Sequence, residues 1–196
     1  EPGLGPRQAC IVGGLPGPQA WLTPCHWQVG MDRVVMLPPD LLQLQDDESQ
    51  QLLQAMRPWL EEDGLQVEWH GALRWHARGP LLANVHTASL ARVSGANIRP
   101  WITDGSLPPA LRRLQSEMQM LLYNHPVNDA RSARGQLSVN AFWVHGAGAP
   151  SATGDRGPVQ TLNDLTDAAS QGASAWQQAW QRLDAQVLAP LAQANT

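Results

Sequence analysis

The chain has 196 residues, 43% hydrophobic and 15% charged, with a formal net charge of −4, which provides for a sizeable core and excludes wholesale disorder. All thirteen cationic residues are arginine, so Schiff-base lysines, a P-loop lysine and a Ser–Lys dyad are excluded, and the acidic balance argues against nucleic acid and anionic membranes as partners. Cys10 and Cys25 are too few for a disulfide framework or a structural zinc site, and neither a signal peptide nor an apolar run of the roughly 18 to 20 residues that cross a bilayer is present.

Residues 1–20 are rich in Gly and Pro and read as a loop or a truncated end. Because there is no initiator Met, the natural protein is expected to begin upstream of Glu1. Residues 27–36 read as extended structure broken at Gly30 and ended by Pro38 and Pro39. Asp46, Asp47 and Glu48 then open a helix, since acids there satisfy free N–H groups and suit the helix dipole. Leu52, Leu53, Met56, Trp59 and Leu60 recur at helical spacing, Pro58 predicts a kink and Gly64 a stop.

Residues 65–78 alternate between apolar and polar, which predicts a half-buried hairpin. Burying both indoles makes Trp69 and Trp75 direct partners. The turn then centres on Ala72, with Glu68 opposite His76 and His70 opposite Arg74 on an exposed face. A short helix is expected over 87–94 and a longer one that Leu107-Pro108-Pro109 starts and Pro126 stops. Leu111, Leu114, Met118, Leu121 and Leu122 form the stripe of the longer helix, while Arg112, Arg113, Gln115 and Glu117 face water. The apolar run 138–145 predicts an interior strand. A flexible stretch follows over 146–158, and a last helix over 173–192 carries Trp176, Trp180, Leu183, Val187 and Leu191 on one face. Core packing is the expected role of most of the tryptophans, Trp59, Trp69, Trp75, Trp176 and Trp180 among them.

The most specific stretch is His125-Pro126-Val127-Asn128-Asp129-Ala130-Arg131-Ser132-Ala133-Arg134-Gly135, followed by Val139-Asn140-Ala141-Phe142-Trp143-Val144-His145-Gly146-Ala147-Gly148. It resembles the H-P-x-N-x-x-R-x-x-x-G … N-x-x-W-x-x-G-x-G junction of archaeal-type cofactor-independent phosphoglycerate mutases, members of the alkaline phosphatase superfamily. The stretches 21–27, 58–64 and 114–123 resemble a bacterial relative, the RpfE-type regulatory proteins. Together these resemblances span residues 20–148. They imply a mixed α/β fold: an α+β cap-like domain over 21–127, then part of an alkaline-phosphatase-like α/β core and a C-terminal helix over 128–196.

The mutase resemblance also implies a two-metal site, with ligands from an N-terminal segment and from Asp/His motifs after the G-x-G strand. Such a centre needs about six converging ligands. After Gly148 the sequence has no His, and its acids are Asp155, Asp164, Asp167 and Asp184. No metal and no cofactor is therefore expected in this chain.

Each candidate residue has a plain structural reading beside its functional one. His125, Asn128, Arg131 and Arg134 suit a phosphorylated ligand, the two arginines sharing a helix face; equally, His125 ends one helix, Asn128 caps the next and the arginines pair with local acids. Cys25 and His26 offer a thiol beside a base, but neighbours on a strand point to opposite faces. His70, His76 and His86 could bind a metal, but His70 and His76 are not directly opposed and no fixed ligand spacing appears, so an exposed sheet face with Glu68 paired to His76 is the plain reading. Gly146 and Gly148 lack the third Gly of a dinucleotide turn.

The leading expectation is a cytoplasmic, non-catalytic protein of the RpfE type that binds a protein partner or a small phosphorylated metabolite. The alternative is the cap side of a metal-dependent mutase or phosphatase, with Mn or Zn held mainly by residues outside this chain. A structural interaction module is the third reading.

Overall fold

A computed structural model describes residues 17–103, 107–148, 165, 168 and 171–194. The expectations for residues 1–16, for Cys10 and for residues 149–158 lie outside the described residues. The fold is mixed α and β, and the chain divides into two compact units, 1–151 and 152–196. The strand that follows residue 127 pairs back onto the first strand.

The first unit is built on a four-stranded sheet of β1 (Gln19–Cys25), β4 (Gln66–Trp69), β5 (Trp75–Arg78) and β6 (Ala141–Gly148), in the order β4-β5-β1-β6. Every ladder is antiparallel. A separate hairpin joins β2 (Trp27–Val29) to β3 (Val34–Met36), so the expected break near Gly30 is its turn.

Strand β1 lies inside the sheet, although its sequence looked like the end of a loop. Pro24 explains how a proline fits there. The β5 ladder ends at the pair Leu22–Trp75, so the missing N–H of Pro24 costs no bond on that side. Strand β6 pairs with β1 alone among the described strands, so it stands at an edge and not inside. Its continuous apolar run reflects burial of both faces, since Ala141 to Ala147 are all buried. The register slips between Gln19 and Trp21 against Gly148 and His145, and Gly146, at φ 61°, supplies the left-handed residue of this β-bulge.

Helix α1 (Asp46–Glu62) opens with a capping box between Gln45 and Glu48. Leu52, Leu53, Met56 and Leu60 are buried along it. Trp59, expected in the same stripe, is 43% exposed, because it sits on the flank of an arc centred near Met56 and Leu60. The chain then turns back so tightly that a Cβ on Gly79 would lie 2.3 Å from the Gly64 carbonyl oxygen; only glycine permits that approach.

The β4–β5 hairpin has the expected register, Trp69 against Trp75 and Glu68 against His76. Ser49 of α1 fixes it, its hydroxyl accepting from both indole N–H groups, at 3.2 and 2.9 Å, and donating to the Ala72 carbonyl.

Two single-turn helices follow, α2 (Leu90–Val93) and α3 (Arg99–Thr103), so the helix expected over 87–94 is one turn long. Helix α4 (Pro109–Tyr123) buries Leu111, Leu114, Met118 and Leu122. Gln115, expected in water, is buried with its amide 3.4 Å from the Phe142 carbonyl. Helix α5 (Pro126–Ala133) leads into β6.

The main core lies between one sheet face and helices α1 and α4, with Leu22, Trp75, Phe142 and Val144 among its members. A second cluster joins Cys25, Trp27, Met36, Val93, Ile98 and Trp143 near the hairpin.

The second unit contains α6 (Ala173–Leu183), a π-type turn at Asp184–Leu188 and α7 (Ala189–Ala194). The single helix expected over 173–192 is therefore interrupted, just before Pro190, which has no N–H to continue an α-ladder. Trp176 and Trp180, expected in a core, are 41% and 43% exposed and pack edge to face, 6.1 Å between centroids.

Candidate functional site

The stretch 125–134 is knitted into the first unit by its own side chains. Arg131 is fully buried. Its guanidinium donates to Glu48, to the Leu42 carbonyl and, at 2.8 Å, to the Leu137 carbonyl. Arg134 donates to the other Glu48 oxygen and, at 2.9 Å, to Gln136. Asn128 donates to the Leu122 and Val139 carbonyls and accepts from the Val139 N–H, all within 2.8 Å. His125 caps α5, its Nδ1 accepting from the Val127 N–H at 3.2 Å, and burial lowers its pKa against the opposing pull of Asp129. The four candidates thus lie together, with Asn128 and Arg131 buried and bonded to the protein and Arg134 half exposed. A phosphate binding to Arg131 would have to displace Glu48, whereas the Arg134 side chain is 51% exposed.

Cys25 is fully buried, and burial pushes its thiol far above the ordinary range, with a hydrogen bond to Trp27 opposing. His26 is half-buried, with Nδ1 2.8 Å from the Ser138 carbonyl. The thiolate is the nucleophile, and here neither burial nor the neighbouring base favours it. Asn140 serves the backbone as well: its side chain accepts from the Trp27 N–H at 2.7 Å and donates to the Trp27 carbonyl at 3.0 Å.

The other notable cluster holds His70 and His76, which the sequence offered with His86, and adds Trp21 and His145, which it did not. The register places Glu68 opposite His76, His76 opposite Trp21, and Trp21 opposite His145. Paired residues share a face, so Glu68, His76, Trp21 and His145 form one row across all four strands, on the face away from the main core. This face was expected to be exposed. Instead Gln19, Trp21, Thr23, His76 and His145 are buried, while Glu68, His70 and Arg74 are open to solvent.

Bonds within the row are specific. His76 Nε2 lies 2.8 Å from Gln19 Oε1, and His145 Nε2 lies 3.0 Å from the Thr23 hydroxyl. Trp21 packs against His76 and His70, with centroids 5.1 and 5.7 Å away, and carries the Arg74 guanidinium over its ring at 4.1 Å. Arg78 and His70 flank the Glu68 carboxylate, His70 at 3.8 Å. Burial lowers the pKa of His76, as do His70 and both nearby arginines, with Glu68 opposing. His145 is pushed down to about 4 by burial and then by Arg74. Both imidazoles are therefore neutral near pH 7. The alternation of Gln19, Trp21, Thr23 and Cys25 was the available signal for this face.

No family model matches the chain, and no curated protein matches it. Among solved structures it is similar to a cofactor-independent phosphoglycerate mutase from Thermoplasma acidophilum DSM 1728, with 17% identity and a TM-score of 0.46. The match covers 74% of this chain and 41% of that one, so the chain spans about two-fifths of that protein's length. The likeness is distant. No described helix is long and apolar enough to cross a membrane.

Proposed function

We propose that this chain is a non-catalytic, phosphoglycerate-mutase-like protein of the RpfE type, and that it acts by binding a partner. One observation carries the reading. Arg131, the most buried of the residues of the 125–134 stretch that suit a phosphate, already has a carboxylate and two carbonyls on its guanidinium. A guanidinium paired in this way offers a ligand phosphate no unsatisfied donor fork.

The groove beside this stretch also favours a protein partner over a phosphorylated metabolite. It is lined by Asp47, Gln50, Gln51, Gln54, His125 and Pro126. Glutamine amides both donate and accept and so suit a polypeptide, whereas Asp47 repels phosphate.

The test is turnover by the purified full-length protein, supplied with Mn²⁺ or Zn²⁺ and offered 3-phosphoglycerate or a simple phosphate monoester. The expected rate does not exceed that of the same buffer without protein. Turnover that is abolished by a chelator and restored by metal would overturn the non-catalytic reading. A thermal-shift titration with 3-phosphoglycerate, expected to leave Tm unchanged, tests the choice of partner.

A further inference from the structure

We propose that Glu68, His70 and His76 bind one divalent transition-metal ion, of the Zn²⁺ or Co²⁺ class, at the rim of the polar sheet face. One ligand atom from each of the three lies within 4.8 Å of the others. Bonds of about 2.0 to 2.2 Å around a tetrahedral ion place donor atoms roughly 3.3 to 3.6 Å apart. The remaining closure is about an ångström, within reach of side-chain rotation at Glu68 and His70, both solvent-exposed. The backbone is already set, since Glu68 faces His76 across the ladder and His70, just past the end of β4, has its N–H bonded to the Arg74 carbonyl at 2.9 Å.

His76 is oriented as a metal ligand is. The Gln19 oxygen can only accept, so the bond to it assigns the ring proton to Nε2. That leaves Nδ1 with a lone pair, and this buried nitrogen has no hydrogen-bond partner. A ligating histidine normally donates its other ring N–H to an oxygen in this way, which fixes both tautomer and ring plane. Trp21 contacts both imidazoles. Glu68 is held on one oxygen by Arg78, while its other oxygen faces His70.

The chemistry of the set selects the ion. Two imidazoles and a carboxylate favour Zn²⁺, Co²⁺ or Ni²⁺ over Mg²⁺ and Ca²⁺, which demand mostly oxygen. Arg78 offsets the charge of Glu68, so affinity comes from ligand bonds and not from net charge. Three protein ligands leave a further position open.

The experiment is a titration of tag-free, chelator-stripped protein with Co²⁺, followed by visible absorption and reversed by Zn²⁺. The expected result is one ion per chain. His70→Ala and Glu68→Gln, both on the exposed rim, each weaken binding at least tenfold with an unchanged far-UV spectrum. Gln19→Ala weakens it by about 10- to 100-fold by releasing the orientation of His76. Failure to take up Co²⁺ or Zn²⁺ stoichiometrically, or equal affinity in His70→Ala, would overturn the proposal. It stands apart from the binding-protein reading: absence of uptake sinks only the metal site, and turnover of a phosphate ester sinks only the non-catalytic reading.

Discussion

Glu48 ties its own helix to Arg131, 83 residues away, with a single carboxylate. One oxygen accepts from Arg131 and from the Gln45 N–H that starts α1, and the other accepts from Arg134. Arg131 is fully buried whereas the Arg134 side chain is 51% exposed, and that difference ranks the two pairs. Glu48→Gln leaves a buried guanidinium without its counter-charge, so a loss of about 3 to 5 kcal/mol is expected. Arg134→Ala removes a largely solvated pair, and less than about 1 kcal/mol is expected. Urea unfolding midpoints of the two variants check the ranking, and equal losses would refute it.

Asn128 connects the end of α4, the start of α5 and the entry to β6. Asn128→Ala strands the Val139 N–H and carbonyl, and it removes one of the bonds to the Leu122 carbonyl, which keeps the His125 N–H. Each buried group left unpaired costs about 1 to 3 kcal/mol, so a total near 2 kcal/mol or more is expected. Asn128→Asp keeps an acceptor for Val139 but loses both donated bonds, and it should be no better than alanine. Hydrogen exchange at the Val139 amide separates the two variants: protection is lost in the alanine variant and retained in the aspartate one.

Ser49 is a small residue that satisfies two large ones. Its hydroxyl accepts from Trp69 and Trp75, and Trp75 is fully buried. Ser49→Ala leaves both indole N–H groups unpaired, for an expected loss of about 2 to 4 kcal/mol. Ser49→Thr keeps the oxygen, and its stability should lie between those of serine and alanine. Thermal unfolding of the three proteins tests this order.

Much of the fold was legible because it depends on local pattern. The Trp69–Trp75 register followed from burying two indoles, and the start of α1 from three consecutive acids. What the sequence hid depends on pairing between distant segments. Strand β1 was masked by its proline and its glycine-rich approach, and without it the row from Glu68 to His145 cannot be assembled. The residues 125–134 were found as a cluster. Their commitment to Glu48 was not, because an acid read as a helix start gives no sign of a partner 83 residues away. Burial was misjudged where a helix flank or a covered second face decided it, as at Trp59, Gln115 and His76.

His145 makes stability depend on pH in a definite direction. In the folded chain its pKa is about 4, and unfolding returns it to the ordinary 6.5. Between these values the unfolded chain binds a proton that the folded one does not, so stability falls as pH drops. A difference of about 2.5 pH units corresponds to about 3 kcal/mol at most; that stability is fully present above pH 6.5 and lost by pH 4. Carboxylates titrate in the same window, so the informative quantity is the difference between the unmodified protein and His145→Gln. The urea midpoint of the unmodified protein should fall more steeply between pH 7.5 and 4.5 than that of the variant. Parallel curves would mean that His145 accepts its proton without unfolding, and the buried row could then not be neutral by virtue of burial.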